Sequence, residues 1–386
     1  MKVLITTDWY RPVINGVVTS VQNLAEGLGA LGHEVRILTL SGSVHSYREG
    51  NVTYIGSVGV GMVYPNARLR TARGEALVQE LVDWKPDIVH SQCEFSTFSF
   101  ARRIAAACGC PLAHTYHTVY EDFTHYFSPN VRFGRFLAAR FSRHVLAQTD
   151  AVIVPTEKIR AMLRGYGVTR PIATVPTGLR LGAFLAPMPP AEREALRAEL
   201  GLAEDDLALT FVGRLAKEKN VSELLALLPA APQNAKLLLV GDGPYRHELE
   251  AQARERGLAD RVLFAGMAAP ERVADYYKAG DIFVSASQSE TQGLTYLEAM
   301  ASGLPLLCRE DDCLKGVLLP GVTGLPYRDA DSFRRALAAL SPGERRRMGD
   351  AARRTAEARF SEAGFAQAVL EVYQDCLRRA ARGVAA

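Results

Sequence analysis

Two glutamates, Glu290 and Glu298, flank a glycine, Gly293, in the stretch 285–303, which reads SASQSETQGLTYLEAMASG. A short apolar run at 282–284 gives way to small polar residues. Gly293 then opens a run with helical periodicity through Leu294, Leu297, Glu298, Met300 and Ala301, so the stretch reads as strand, loop and helix. A helix starting here, with Leu294 and Thr295 in its first turn, offers N–H groups and a positive dipole end to an anion, and Gly293 lets that anion come close to the backbone. Eight helical residues rise about 12 Å, so the two carboxylates can straddle a diphosphate and still reach hydroxyls at both ends. That is the geometry of a nucleotide sugar. On spacing alone, two solvated glutamates remain the alternative.

Cations follow the same logic. In VGRLAKEKN, Arg214 and Lys219 come directly after an apolar strand, within one loop, where a leaving diphosphate needs positive charge; an ordinary surface pair is the bland alternative. In the N-terminal loop TDWYRPVINGVVTS, Asn15-Gly16 precedes a helix and presents bare backbone, which suits a phosphate or a simple turn. His114, His117 and His125 lie among aromatics and two acids, with no strong metal-ligand spacing. The six cysteines, Cys93, Cys108, Cys110, Cys308, Cys313 and Cys376, contain no CxxC pair, so reduced thiols are expected. No DxD pair stands out, although Asp311-Asp312 and Asp205 leave Mg2+ open.

The elements that must position these residues alternate. Strands are expected at 3–6, 35–40, 52–55, 87–90, 111–115 and 151–154, with helices at 17–31, 74–84, 98–107 and 156–166. After a surface linker at 187–190, strands recur at 208–212, 236–240, 262–265 and 281–284, with helices at 221–228, 245–257 and 269–278. This is an α/β pattern of two doubly wound parallel sheets, each with ligands at the carboxyl ends of its strands, facing each other across a cleft. A length of 386 residues suits two such domains. Two helices end the chain, broken near Ser361. The last has an apolar stripe through Phe365, Val369, Val372, Tyr373 and Cys376.

The net charge of +3 is uneven, with 19 Lys and Arg against 13 Asp and Glu in residues 1–180, and 26 against 29 thereafter. The basic half suits an anionic partner, either a membrane surface or a nucleic acid. Residues 128–148 contain no acid, and Arg132, Arg135, Arg140 and Arg143 share an arc of about 140° with Phe136. Phe133, Leu137, Phe141 and Val145 form an i, i+4 ridge on another face, expected to pack on the core. Such a helix fits an anionic lipid surface, or simply a solvated basic face. Arg68, Arg70 and Arg73 add further basic charge. No apolar run reaches membrane-spanning length and the chain opens directly on a strand, KVLITT, so a cytoplasmic, soluble or peripheral protein is expected.

The wording ETQGLTYLEAMASGLP, with its Glu-x7-Glu spacing, resembles the retaining glycosyltransferases of family 4, which have the GT-B fold. The variant ETQGLTY is similar to the branch that glucosylates diacylglycerol. GRLAKEKN, VGDGP, FAGM and YHTVYEDFTHY extend the resemblance over nearly the whole chain. It implies an acceptor domain at 1–178, joined by the terminal helix 362–386, and a nucleotide-sugar domain at 179–361. It also implies that Glu290 holds hexose hydroxyls, Glu298 the ribose, and Gly16, Arg214, Lys219 and the Gly293 helix end the diphosphate. Gly266 and Met267 would pass their backbone along the base, and His117 would hydrogen-bond the hexose. Attack would be front-face, with a donor phosphate oxygen taking the proton and no cofactor required. The implied partners are UDP-glucose, diacylglycerol and the anionic inner face of the cell membrane, not a nucleic acid. Another lipid acceptor such as phosphatidylinositol, a soluble sugar acceptor with a GDP- or UDP-hexose, and a non-catalytic nucleotide-sugar module remain alternatives. Two departures stand out: Thr177 where many members carry asparagine, and CREDDCLKG, which has no assigned role.

Overall fold

The computed structural model describes residues 1–13, 15–59, 68–71, 74–121 and 130–384. His125, Arg73 and the first two residues of the segment 128–148 lie outside them. The chain forms two compact units, Met1–Gly178 with Glu362–Ala386, and Leu179–Ser361.

Unit 1 runs β1 (Lys2–Thr6), α1 (Gly16–Ala30), β2 (Glu34–Leu40), β3 (Tyr47–Glu49), β4 (Val52–Ile55), β5 (Ser57–Gly59), β6 (Arg68–Arg70), α2 (Glu75–Asp83), β7 (Ile88–Ser91), α3 (Ser96–Cys108), β8 (Leu112–Thr115), α4 (Val131–Leu146), β9 (Ala151–Val154), α5 (Glu157–Gly165) and β10 (Ile172–Thr174). Its main sheet has the order β10-β9-β8-β7-β1-β2-β4-β3, parallel except for β3 against β4, and β5 pairs with β6 apart from it. The inner strands β7, β8 and β9 are buried along their full length, as strands covered by helices on both faces must be. Strand order reverses between β1 and β7, which makes the carboxyl ends of those strands the switch point. The stretch 172–174, not among the expected strands, is an edge strand in parallel register with β9.

Unit 2 continues with α6 (Gly182–Leu185), α7 (Pro190–Glu199), β11 (Leu207–Val212), α8 (Val221–Leu227), β12 (Ala235–Val240), α9 (Arg246–Glu255), β13 (Val262–Gly266), α10 (Val273–Ala279), β14 (Ile282–Ser285), α11 (Leu294–Ala301), β15 (Leu306–Arg309), β16 (Gly324–Tyr327), α12 (Ala330–Ala339) and α13 (Pro342–Arg359). The sheet order is β13-β12-β11-β14-β15-β16, all parallel, with its switch point between β11 and β14. Pro190, placed in a linker by its neighbours, is the first residue of α7, where its missing N–H costs nothing.

The last helix, α14 (Glu362–Val384), belongs to unit 1. Phe365, Val369, Tyr373 and Cys376 are buried in one cluster with Val21, Leu24 and Leu28 of α1. Fully burying side chains of this size contributes roughly 1.5–3 kcal/mol each. Close approach depends on Gly27, where an added Cβ would lie 2.7 Å from that of Ala366.

On α4 the ridge expectation is corrected. Phe133 is 55% exposed, Phe136 is 59% exposed, and Val145 is buried. An i, i+4 ridge advances about 40° around the helix per step, so its first member has turned away from the face that Val145 presents. The packed face instead carries Gly134, Ala138, Ser142 and Val145, and Ser142 Oγ lies 2.8 Å from the Tyr116 hydroxyl.

Candidate active site

In unit 2 the loops after β11, β12, β13 and β14 all leave the carboxyl edge of the sheet, and they pack on one another through glycines. Gly241, with a φ of 132°, would place a Cβ 2.0 Å from the Gly213 carbonyl oxygen, and Gly243 would place one 2.4 Å from that of Leu215. Leu215 N–H donates to Asp242 O at 2.9 Å, and Gly241 N–H donates to Gly266 O at 2.7 Å. Arg214 and Gly266 therefore sit on locked backbone, and Met267, which follows Gly266, is exposed.

The loop after β14 meets the loop after β11 at the switch point. Ser289 Oγ donates to Glu218 O at 3.1 Å, and Lys219 Nζ donates to Glu290 Oε1 at 2.6 Å. Lys219 and Glu290 side chains are 23% and 16% exposed, so the pair is only partly screened by water. Arg214 pairs with Glu218 on the same turn. Gly293, at a φ of 74°, is the N-cap of α11 and has no side chain of its own with which to cap it. A Cβ there would lie 2.3 Å from Tyr296 Cε2, so glycine is required twice over, for conformation and for space. Helix geometry leaves the N–H groups of Leu294 and Thr295 without intrahelical acceptors and puts positive potential beside Glu290. Further along α11, Glu298 Oε2 accepts from the Tyr277 hydroxyl at 2.7 Å, and burial pushes its carboxyl above the ordinary glutamate value, against that hydrogen bond.

Asp311 and Asp312, considered above for a metal, are engaged otherwise. Asp311 Oδ1 accepts from Cys313 N–H at 2.7 Å, and Asp312 pairs with Lys315 at 2.8 Å. Among the described residues no group of three or more His, Cys, Asp or Glu side chains is placed to hold a metal ion.

In unit 1 the polar residues gather after β1, β7 and β8. Asp8 accepts from Thr97 Oγ1 at 2.6 Å and from the N–H groups of Thr97 and Ser96 at 2.7 and 3.1 Å, joining the ends of β1 and β7; burial pushes its carboxyl up. His117, two residues beyond β8, has its Nε2 2.6 Å from Gln92 Oε1, and burial holds its imidazole down to about 4 against an upward pull from Glu94. Glu94 accepts from the Tyr120 hydroxyl at 2.6 Å and lies 3.2 Å from His114 Nε2. His114 is fully buried against Phe98, as a packed core histidine would be. Gly16 opens α1, but Asn15 Oδ1 already accepts from Val18 N–H at 2.9 Å, so one of the first-turn donors is occupied. A cleft of ≈ 710 Å³ lined by Arg102, Cys110 and Asp150 lies at the amino ends of β8 and β9, the opposite edge from all of these groups.

Arg132, Arg135, Arg140 and Arg143 are exposed along α4, and Arg135 Nε lies 3.1 Å from Glu121 Oε2. Arg68 turns inward instead, its Nε donating to Ser57 Oγ at 2.6 Å, and Arg70 stacks 4.9 Å from the centroid of Phe100.

Sequence reasoning missed Gln92, Glu94, Glu218 and Tyr277. The first two stand in HSQCEFS, immediately after a strand whose carboxyl end was expected at the ligand edge, so position alone could have flagged them. Tyr277 and Glu218 carry no such signal, because nothing in a helix pattern or a charged turn says which side chain it will meet.

Residues 14–182 match the sequence profile described as Glycosyltransferase Family 4, and residues 192–355 match that described as Glycosyl transferases group 1. The chain is 35% identical over 333 residues to the alpha-monoglucosyldiacylglycerol synthase of Streptococcus pneumoniae, spanning 85% of this chain and 75% of that one. It is 32% identical over 341 residues to the protein of that name from Acholeplasma laidlawii, 84% of each chain. Among solved structures, HepE of Anabaena in complex with UDP-glucose matches with a TM-score of 0.75 at 17% identity, over 97% of this chain and 100% of that one.

Proposed function

The chain belongs to glycosyltransferase family 4 and has the two Rossmann-like sheets of the GT-B class, and on that premise we propose that it transfers glucose from UDP-glucose to diacylglycerol with retention, giving an α-glucosyl lipid. The observation that carries this reading is the Lys219–Glu290 pair beside the glycine start of α11. A cation, an acid and a helix N-terminus meet at one switch point, which is what a sugar diphosphate requires. Lys219, Arg214 and the first-turn N–H groups of Leu294 and Thr295 take the diphosphate, and Glu298 takes the ribose. The backbone at Gly266 and Met267 runs along the base. From the family resemblance come the roles of Glu298 toward the ribose, of Gly266 and Met267 along the base, of Gly16 toward the phosphates and of His117 toward the hexose.

In the reaction, the bond between the glucosyl anomeric carbon and the donor phosphate oxygen breaks while the acceptor oxygen bonds to the same face of that carbon. The acceptor proton passes to a phosphate oxygen of departing UDP. Charge grows on that leaving group, where Arg214, Lys219 and the α11 dipole stabilise it most. Glu290 is assigned to the hexose hydroxyls.

The acceptor is supported by the names of the two relatives above and by the exposed arginines and Phe136 of α4, which suit an anionic bilayer. No described helix is long and apolar enough to cross a membrane, so contact would be peripheral, at the inner face. The test incubates the full chain with radiolabelled UDP-glucose and vesicles of diacylglycerol with an anionic phospholipid, and then determines the anomeric configuration of the product by proton NMR. An α-glucosyl lipid is expected. A β product overturns retention, label in a water-soluble product overturns the acceptor, and UDP-glucose binding without turnover marks a non-catalytic module.

A further inference from the structure

We propose that Gln92 is the positioning residue of His117. Its side-chain oxygen accepts the Nε2–H of that imidazole, which fixes the neutral tautomer whose Nδ1 lone pair receives a hydroxyl proton of the transferred hexose. The proposal deepens the role given to His117 above and rests on it.

Gln92 is 1% exposed, and its backbone N–H donates to Thr6 O at 2.8 Å, so the side chain starts from a fixed point on the central strands. Its amide nitrogen lies 3.2 and 3.3 Å from the two ring nitrogens of His90. Those nitrogens already have closer partners, Nδ1 in the Tyr373 hydroxyl at 2.6 Å and Nε2 in Thr115 Oγ1 at 2.7 Å. The amide NH2 group therefore faces the His90 ring, and the amide oxygen is turned to His117. Flipping the amide would set its oxygen against the His90 ring and an N–H donor against His117 Nε2.

A carboxamide oxygen only accepts, so the His117 nitrogen it faces at 2.6 Å carries the proton. No other hydrogen bond to this ring is seen among the described residues. The consequence is chemical: with Nε2–H committed to Gln92, His117 meets a sugar as an acceptor through Nδ1, not as a proton donor. The chain of contacts Tyr373–His90–Gln92–His117 begins on α14, so the last helix of the sequence helps to set the orientation of a ring that follows β8.

The titratable groups facing His117 are Glu94, His114 and His90, and burial outweighs the pull of Glu94, which keeps the ring neutral. Gln92→Glu places a carboxylate against Nε2–H and should raise the imidazole's titration by about 1 to 3 pH units. Gln92→Leu removes the acceptor.

The experiment follows the His117 ring nitrogens by NMR in the full chain, wild type and both variants, across pH, and runs the transfer assay alongside. The wild type should show a neutral Nε2–H tautomer down to about pH 5. Gln92→Glu should shift both the His117 titration and the acid limb of kcat upward together, with transfer recovering as pH rises. Gln92→Leu should lower kcat with UDP affinity unchanged. A wild-type Nδ1–H tautomer, or a Gln92→Glu titration identical to wild type, overturns the proposal. If the tautomer is as stated but His117→Ala transfers glucose normally, the role of His117 fails while the Gln92 pairing stands.

Discussion

Lys219 Nζ donates to Glu290 Oε1 at 2.6 Å across the switch point of unit 2. The cation assigned to the donor phosphates is thus already paired with the acid assigned to the hexose. On the proposed assignment, binding the donor would replace one charge-assisted hydrogen bond with others and would couple the two residues energetically.

Removing either partner should separate binding from turnover. A hydrogen bond from an ionised donor is worth about 1.5–3 kcal/mol, so Lys219→Ala should weaken UDP binding roughly 10- to 100-fold by calorimetry. Glu290→Gln keeps the shape of the pair and should lower kcat by about 10²- to 10³-fold, the range found when a group aimed at the transition state is lost. Wild-type turnover in Glu290→Gln would remove the acid from the chemistry.

The stability of unit 1 should fall with acid over a defined window. His117 and His90 are both held below the ordinary histidine value of 6.5, His117 at about 4, by burial. The unfolded chain takes up their protons first, so stability is full above about pH 6.5 and is lost as pH falls toward about 4. Thermal melts from pH 7.5 to 4 should show this slope, and His117→Asn should flatten it; an unchanged slope would place the lost protons elsewhere.

Glu298 should behave in the opposite sense. Its carboxyl is raised by burial, so the folded state favours the protonated form and the charge costs stability at neutral pH, a cost relieved as pH falls. Glu298→Gln keeps an acceptor for the Tyr277 hydroxyl and should melt at the same or a higher temperature at pH 7, with the difference shrinking in acid. UDP affinity should drop nonetheless, and a UDP analogue lacking the ribose hydroxyls should bind both proteins alike.

Gly293→Ala tests the start of α11. The left-handed backbone costs a non-glycine residue about 1–3 kcal/mol, and the Cβ would meet Tyr296 at 2.3 Å. At about 2–4 °C per kcal/mol for a unit of this size, the melting temperature should fall by several degrees, and UDP binding should weaken as the helix end shifts. Gly257→Ala, where φ is 66° and no atom lies near the added Cβ, gives the backbone cost without the clash.

For α4, each arginine near an anionic surface contributes about 1 kcal/mol. Changing Arg132, Arg135, Arg140 and Arg143 to glutamine should abolish sedimentation with anionic vesicles, and Phe136→Ala should weaken it less. Both variants should keep wild-type affinity for UDP. Retained vesicle binding in the quadruple variant would move the membrane face off this helix.

Several of these sites differ in how far the chain alone discloses them. The alternation of apolar strands with amphipathic helices was readable, because burial on both faces of a parallel sheet writes continuous apolar runs. Strands β15 and β16 were not read; the second, GLPY, contains Gly and Pro, which speak against a strand. Arc arithmetic placed the α4 arginines on one side, but it put Phe133 in the core, where the small residues Gly134 and Ala138 pack instead.

Local order along the chain therefore determined the fold class, the glycine that opens α11 and the residue types available for phosphate and sugar. Only tertiary structure decided the partners. Lys219 meets Glu290 across 71 residues and His90 meets Tyr373 across 283, and no periodicity carries information over such separations. Those pairings are set by strand order at the two switch points and by the burial that makes an unpaired polar group too costly to leave.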